Sequence, residues 1–169
     1  MKKNEPTSTI GSSVHPTLFT VGYEGATPES LVRSLRAAGV ERVVDVRELP
    51  LSRRRGFSKT KLSETLRGAG IEYEHVRALG NPKANRERYD RGRVAEGARH
   101  YRVHLRNHAA TALLDLSASI RTRPTCLLCV ERSYTECHRS TLADAIRELD
   151  TEVTIEHLSL GAPVAVRLT

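Results

Sequence analysis

The most constraining feature of this chain is an alternation. Short β-branched apolar runs recur, and the stretches between them carry helical periodicity. "LFTVGY" (18–23), "RVVDVR" (42–47), "IEYEHV" (71–76), "TCLLCV" (125–130) and "VTIEHL" (153–158) read as strands. Between the first two, Thr27 is an N-cap, Pro28 a first helical residue, Leu31, Leu35 and Ala38 an apolar stripe, and Gly39 a stop. Ser58 opens a second helix with Leu62 and Leu66 inward, residues 94–120 are helical with a break near 110, and residues 140–149 form a last helix capped by Ser140 or Thr141. The run 77–93, "RALGNPKANRERYDRGR", lacks an apolar stripe and reads as a mobile or partner-ordered basic loop.

Strands joined through helices must lie mostly parallel, because a parallel neighbour is reached only by a crossover. The expectation is an α/β, Rossmann-like three-layer sandwich with a mostly parallel sheet of about five strands, a single domain over 17–169. Residues 1–16 read as a disordered lead-in; lysines there precede no apolar core, so no secretory signal is expected. No run approaches the roughly 20 apolar residues of a membrane span, and a cytoplasmic protein without membrane contact is expected.

In such sheets ligands bind beyond the carboxyl ends of the strands. That rule selects Gly22, Tyr23 and Glu24 after the first strand, Asp45 and Arg47 on the second, His75 on the third, and the loop that begins at Cys129. "CVERSYTECHRST" (129–141) is the densest chemistry in the chain. Cys129 and Glu131, two apart, can share a face at the strand end. Cys137, His138 and Arg139 precede a helix start at Ser140, whose free N–H groups favour an anion and lower the pKa of a nearby thiol. Asp45 in an apolar strand is costly unless paired, and Arg47 is its natural partner, for architecture or for function.

Zinc is the obvious competitor, since Cys126, Cys129, Cys137 and His138 make C-x2-C-x7-C-H. However, residues i and i+3 of a strand point to opposite faces, and "LL" between the first two cysteines is no knuckle. Cys126 is expected to be core, and no metal or cofactor is expected. His100, His104 and His108 read as a polar helix face. Three cysteines, all between 126 and 137, suit reduced thiols better than a disulfide framework.

The net charge of +7 makes an anionic partner plausible, with nucleic acid or a nucleotide the expectation. Arg53, Arg54 and Arg55 follow the second strand and would reach the same edge. The reading is an enzyme acting on a nucleotide or nucleic-acid substrate. Its reacting groups are drawn from Asp45, Cys129, Glu131, Cys137 and His138. Its substrate or anion contacts come from Gly22, Tyr23, Glu24, Arg47, Arg53, Arg54, Arg55, Arg139 and Ser140. Thiol or sulfur-transfer chemistry at Cys129 or Cys137 is the alternative. A nucleic-acid-binding accessory protein without catalysis is the third reading.

"TVGYEG", "VVDVRELPLSRRRGFSK", "GIEYEHVRALGNP" and "LLCVERSYTECHRSTLADAI" together resemble the bacterial and archaeal family catalogued as domain of unknown function 488. The resemblance spans roughly 18–158. It rests most firmly on Cys129, Glu131, Cys137, His138 and Arg139, and on Asp45 and Arg47. It implies a Rossmann-like α/β domain and supplies no activity. "VVDVREL" is also similar to a strand of rhodaneses, in which a later strand ends in a nucleophilic cysteine. Cys129 is the matching position, but the loop to Ser140 is longer than a rhodanese cradle and lacks its small residues.

Overall fold

The computed structural model describes residues 15–161. The proposed disordered lead-in therefore lies outside the described residues except for His15 and Pro16. Five parallel strands form one sheet: β1 (Thr17–Gly22), β2 (Arg42–Asp45), β3 (Glu72–His75), β4 (Thr125–Cys129) and β5 (Thr154–Leu158), in the order β3-β2-β4-β1-β5. The helices are α1 (Pro28–Ala37), α2 (Lys59–Gly68), α3 (Lys83–Asp90), α4 (Val94–His108), α5 (Ala110–Ile120) and α6 (His138–Leu149). This is the expected α/β sandwich. Among the described residues no helix is long and apolar enough to cross a membrane.

Each face of the sheet has its own core. Phe19, Val21, Val43 and Leu128 pack under Leu31 and Leu35 of α1 and Leu62 and Leu66 of α2. On the other face Leu18, Val44, Leu127 and Cys129 pack under α4, α5 and α6 through Tyr101, Leu105, Ile120, Leu142 and Ile146. Thus β2 leads to a helix on one face, while its neighbour β4 leads to a helix on the other. Their outgoing loops part, and a crevice opens between two carboxyl ends, where such folds bind ligands.

Local signals hold at α1. Thr27 accepts from the Ser30 amide at 3.2 Å while Ser30 Oγ accepts from the Thr27 amide at 3.1 Å, a complete capping box. Two segments depart from the sequence expectation. Residues 77–93 are a 3₁₀ turn (Arg77–Leu79) followed by α3, not an unstructured loop. Polar contacts fasten α3 in place of an apolar stripe. Buried Asn85 donates to Asn81 Oδ1 at 2.8 Å and to the Gly97 carbonyl at 2.9 Å, and Arg88 pairs with Glu96 at 3.0 Å. Gly97 lets the Tyr89 ring lie against α4, because a Cβ there would stand 2.5 Å from it.

The second departure is the start of α6. The helix begins at His138, and Cys137 is its extended N-cap residue at φ −131°, ψ 143°. Ser140 and Thr141 are inside the first turn. Asp144 accepts from Arg147 at 2.8 Å. An N-cap three residues before Ser140 puts the thiol of Cys137 on the helix terminus itself.

Candidate functional site

Strand register decides which side chains meet. Asp45 pairs with Leu128 across β2 and β4, so Asp45 shares the α1/α2 face with Leu128, while Cys129 points to the α4/α6 face. The candidate residues therefore divide into two groups on opposite sides of the sheet.

On the α1/α2 side Asp45 and Arg47 form a buried ion pair, with Arg47 Nη2 2.5 Å from Asp45 Oδ2 and Nε 2.9 Å from Oδ1. Tyr73 donates to Asp45 Oδ2 at 2.7 Å, and Arg47 Nη1 donates to the Tyr23 hydroxyl at 3.1 Å and to the Phe57 carbonyl at 2.8 Å. The Tyr23 ring stacks on Phe57 at 4.3 Å between centroids. Burial works against the Arg47 charge, but the Asp45 bonds outweigh it and hold the guanidinium protonated. Burial and the bond to Asp45 likewise push the Tyr73 hydroxyl up. Asp45 does not reach the other cluster; Arg47, although its guanidinium is bonded to Asp45, Tyr23 and Phe57, also lines the crevice onto which that cluster opens.

On the α4/α6 side the loop from β4 brings four reactive groups together. Cys129 Sγ donates to Glu131 Oε2 at 3.2 Å. His138 Nδ1 lies 3.8 Å from Cys129 Sγ and 3.8 Å from Cys137 Sγ. Its Nε2 is 3.0 Å from the Val46 carbonyl, which can only accept, so Nε2 carries a proton in either charge state of the ring and Nδ1 faces the sulfurs. Tyr101 fixes the ring edge-on, at 4.9 Å and 77°, and its own hydroxyl is held by the Leu79 carbonyl.

Burial, then the neighbouring Cys137, pushes the Glu131 carboxyl up to about 7. The Cys129 thiol is pushed far up by its hydrogen bond to Cys137 and by burial. Burial opposes a thiolate at Cys137, but bonds from Cys129 and His138 outweigh it and hold that thiol well below the usual range. For His138 the bond to Cys137 likewise overcomes burial and raises the imidazole. Negative charge is therefore concentrated on Cys137, the sulfur at the helix terminus.

The cluster opens on a crevice of about 220 Å³ between the β2 and β4 loops. Glu48, Leu49, Leu51, Arg86 and Tyr89 form the rest of its wall that matters chemically. Arg86 pairs with Glu48 at 3.2 Å, and the buried Tyr89 hydroxyl has no hydrogen-bond partner among the described residues. Sequence reasoning missed Tyr89. Its one signal was being the lone aromatic residue in the basic run 83–93.

The remaining candidates shape this loop from outside the crevice. Arg139 is 1% exposed. It donates through Nη1 to the Glu131 carbonyl at 2.6 Å, through Nη2 to the Arg132 carbonyl at 3.1 Å and through Nε to Thr20 Oγ1 at 3.4 Å. It holds the loop and is not among the residues that line the crevice. Glu24 accepts from the Arg132 amide at 3.1 Å, the amides of Tyr23 and Glu24 donate to the Cys129 and Val130 carbonyls, and Ser140 Oγ donates to the Cys137 carbonyl at 3.0 Å. Gly22 lets Glu131 approach, since a Cβ at Gly22 would stand 1.7 Å from the Glu131 carbonyl oxygen. Arg53, Arg54 and Arg55 are exposed on the loop after β2, beyond Leu51. Cys126 is buried on the α1/α2 face, where burial pushes its thiol up, and belongs to that core.

Comparison with curated proteins and with solved structures gave no match. The model of the family described as "Domain of unknown function DUF488" matches residues 27–146, more than half of the sequence. The matched span includes the Asp45–Arg47 pair, the crevice wall and the whole Cys129–His138 cluster, and the chain belongs to this family.

Proposed function

We propose that the protein is an enzyme whose reacting centre is the Cys129–Glu131–Cys137–His138 cluster, and that its substrate is an anion of nucleotide or nucleic-acid type. The convergence at the base of one crevice carries this reading. Two thiols, a carboxylate and an imidazole are an expensive way to fill a core position that apolar side chains would fill equally well. Their place at the carboxyl ends of β2 and β4 adds to it. Arg86 in the wall and Arg53, Arg54 and Arg55 beyond it supply the positive field, in a chain of net charge +7. In this reading Glu131, on the crevice side of the cluster, contacts the substrate, and the reaction is hydrolysis or transfer at a phosphate or sugar centre. Reduced thiols fit a cytoplasmic setting.

The test is turnover and thermal-shift screening of the full chain against nucleotides, dinucleotides and short oligonucleotides. Glu131→Gln is expected to reduce the rate by about 100-fold or more while leaving the fold intact. A rate indifferent to both Glu131→Gln and Cys137→Ser would remove the cluster from catalysis. Nucleic-acid binding unaffected by either change, without turnover, would make the protein an accessory binder instead.

A second reading, cysteine-dependent sulfur chemistry, is favoured by the position of Cys137 at the N-cap of α6 with the His138 ring beside it. It predicts a covalent adduct on Cys137 during turnover, visible by mass spectrometry, which the first reading does not.

The arginine loop gives a separate expectation. Replacing Arg53, Arg54 and Arg55 with glutamates should weaken nucleic-acid binding across sequences and flatten its salt dependence. On duplex DNA the log–log slope should fall by about 0.9 for each phosphate that the protein ceases to neutralise. The melting temperature should hardly move, since exposed charges contribute little to stability. No binding to duplex, single strand or mononucleotide at low salt by the unaltered protein would leave the positive charge as a matter of solubility.

A further inference from the structure

We propose that Cys129, Cys137, His138 and Glu131 bind one zinc ion at the base of the crevice. The inference goes beyond the proposed function and does not depend on it, because ion binding is read without turnover.

Distance is the first argument. Cys129 Sγ, Cys137 Sγ and a His138 ring nitrogen all lie within 4.8 Å of one another. With Zn–S near 2.3 Å and Zn–N near 2.0–2.1 Å, tetrahedral corners stand about 3.6 Å apart for sulfur to nitrogen and about 3.8 Å for sulfur to sulfur. Both Sγ···Nδ1 separations are 3.8 Å. The two sulfur-to-nitrogen edges need only about 0.2 Å of contraction, and the sulfur-to-sulfur edge, within 4.8 Å, closes the triangle as the ion draws the thiolates in. Glu131 Oε2, 3.2 Å from Cys129 Sγ but outside the three donors that lie within 4.8 Å of one another, reaches the fourth corner by a side-chain rotation from the crevice side, where a water or substrate could displace it.

The imidazole is already prepared for a metal. A ligating histidine almost always donates its other ring N–H to a carboxylate or carbonyl, which fixes ring and tautomer. His138 donates Nε2–H to the Val46 carbonyl at 3.0 Å and leaves Nδ1 for the ion. Tyr101 closes the ring's remaining freedom.

Charge balance points the same way. Arg139 is buried, its three bonds go to neutral oxygens, and among the described residues no carboxylate lies within salt-bridge range of it. A buried cation calls for a counter-charge. A zinc ion with two thiolates, one carboxylate and a neutral imidazole carries one net negative charge, directly beneath the loop that Arg139 holds. The orphaned Tyr89 hydroxyl in the same crevice is placed to meet a water or substrate group on the ion. Thiolate and imidazole donors in tetrahedral array select zinc among the common divalent ions. The donor set is not the C-x2-C pattern visible in the sequence, because Cys126 lies on the opposite face.

The experiment is titration of reduced, metal-stripped full-length protein with cobalt(II), followed by displacement with zinc. The expected result is one equivalent bound, with the strong visible bands of tetrahedral cobalt and sulfur-to-cobalt charge transfer of an intensity matching two thiolates. Cys129→Ser and Cys137→Ser should each weaken zinc binding by more than the roughly 10–100-fold that losing an outer partner of a metal ligand costs. Cys126→Ser should bind as the unaltered protein does. If a serine variant fails to fold, the two-thiolate spectrum of the unaltered chain still decides. Absence of these bands at stoichiometric cobalt would overturn the proposal, as would equal dependence on Cys126. Bound zinc without turnover would leave this site standing while the enzymatic reading fell.

Discussion

Asp45→Ala is expected to cost about 3–5 kcal/mol, the usual effect of removing one partner from a buried ion pair. Against a typical total stability of about 5–15 kcal/mol, that brings the chain close to unfolding. The side chains of Asp45 and Arg47 are 0% and 3% exposed. Removing the carboxylate strands a guanidinium between the Tyr23 hydroxyl and the Phe57 carbonyl, with no other carboxylate in salt-bridge range among the described residues. It also orphans the Tyr73 hydroxyl, which donates to Asp45. Asp45→Asn should recover part of the loss, since the amide keeps the shape and one acceptor. The double replacement Asp45→Leu with Arg47→Met should lose much less than the single one, because no buried charge then remains unpaired. Urea denaturation of the three variants measures this. A loss below about 1 kcal/mol for Asp45→Ala would mean that water reaches the pair.

Gly22→Ala is the second large expected effect, about 3 kcal/mol or more, at the upper end of what overpacking costs. The added methyl would fall 1.7 Å from the Glu131 carbonyl oxygen and 2.5 Å from its carbon, and both are backbone atoms that cannot rotate away. The β4 loop must lift off β1. The amide bonds from Tyr23 and Glu24 to the Cys129 and Val130 carbonyls would lengthen, and so would the Arg139 bond to the Glu131 carbonyl. Unlike Asp45→Ala, this change displaces Glu131 relative to Cys129. Whatever the cluster does should therefore fail even in molecules that remain folded. Denaturation midpoint and cobalt spectrum read together separate the two effects. A variant with unchanged midpoint and unchanged spectrum would show that the close approach at Gly22 is not a constraint.

The layered α/β architecture was legible because both kinds of periodicity were strong, and because helices between strands leave a parallel sheet as the consistent arrangement. Helix α3 was not legible. Asn85, Tyr89 and Arg88 hold it through partners on α4 and on the turn before it, and such contacts have no periodic trace. The start of α6 lies earlier than expected because the usual cap signals favour Ser140 or Thr141, while the residue in N-cap geometry is a cysteine. The chemistry of 129–138 was legible as a cluster, since four reactive residues lie within ten positions. Whether Asp45 belonged to it was not. Period two places Asp45 and Arg47 on one face, but which face depends on the register of β2 against β4. A shift of a single residue in that pairing would have sent Asp45 toward Cys129.

That register has a consequence for how such a protein can change. The side chains of Asp45 and Arg47 anchor one side of the sheet, while the Val46 carbonyl between them grips the imidazole on the other. Three consecutive residues thus serve two compartments at once, and none can be replaced for the benefit of one without disturbing its opposite. Variation toward a different substrate has to be found elsewhere. The wall contributed by 48–51 and by α3 is free of that double duty. Diversification among relatives should therefore be concentrated in this wall, with the strand and the β4 loop inherited unchanged as a unit.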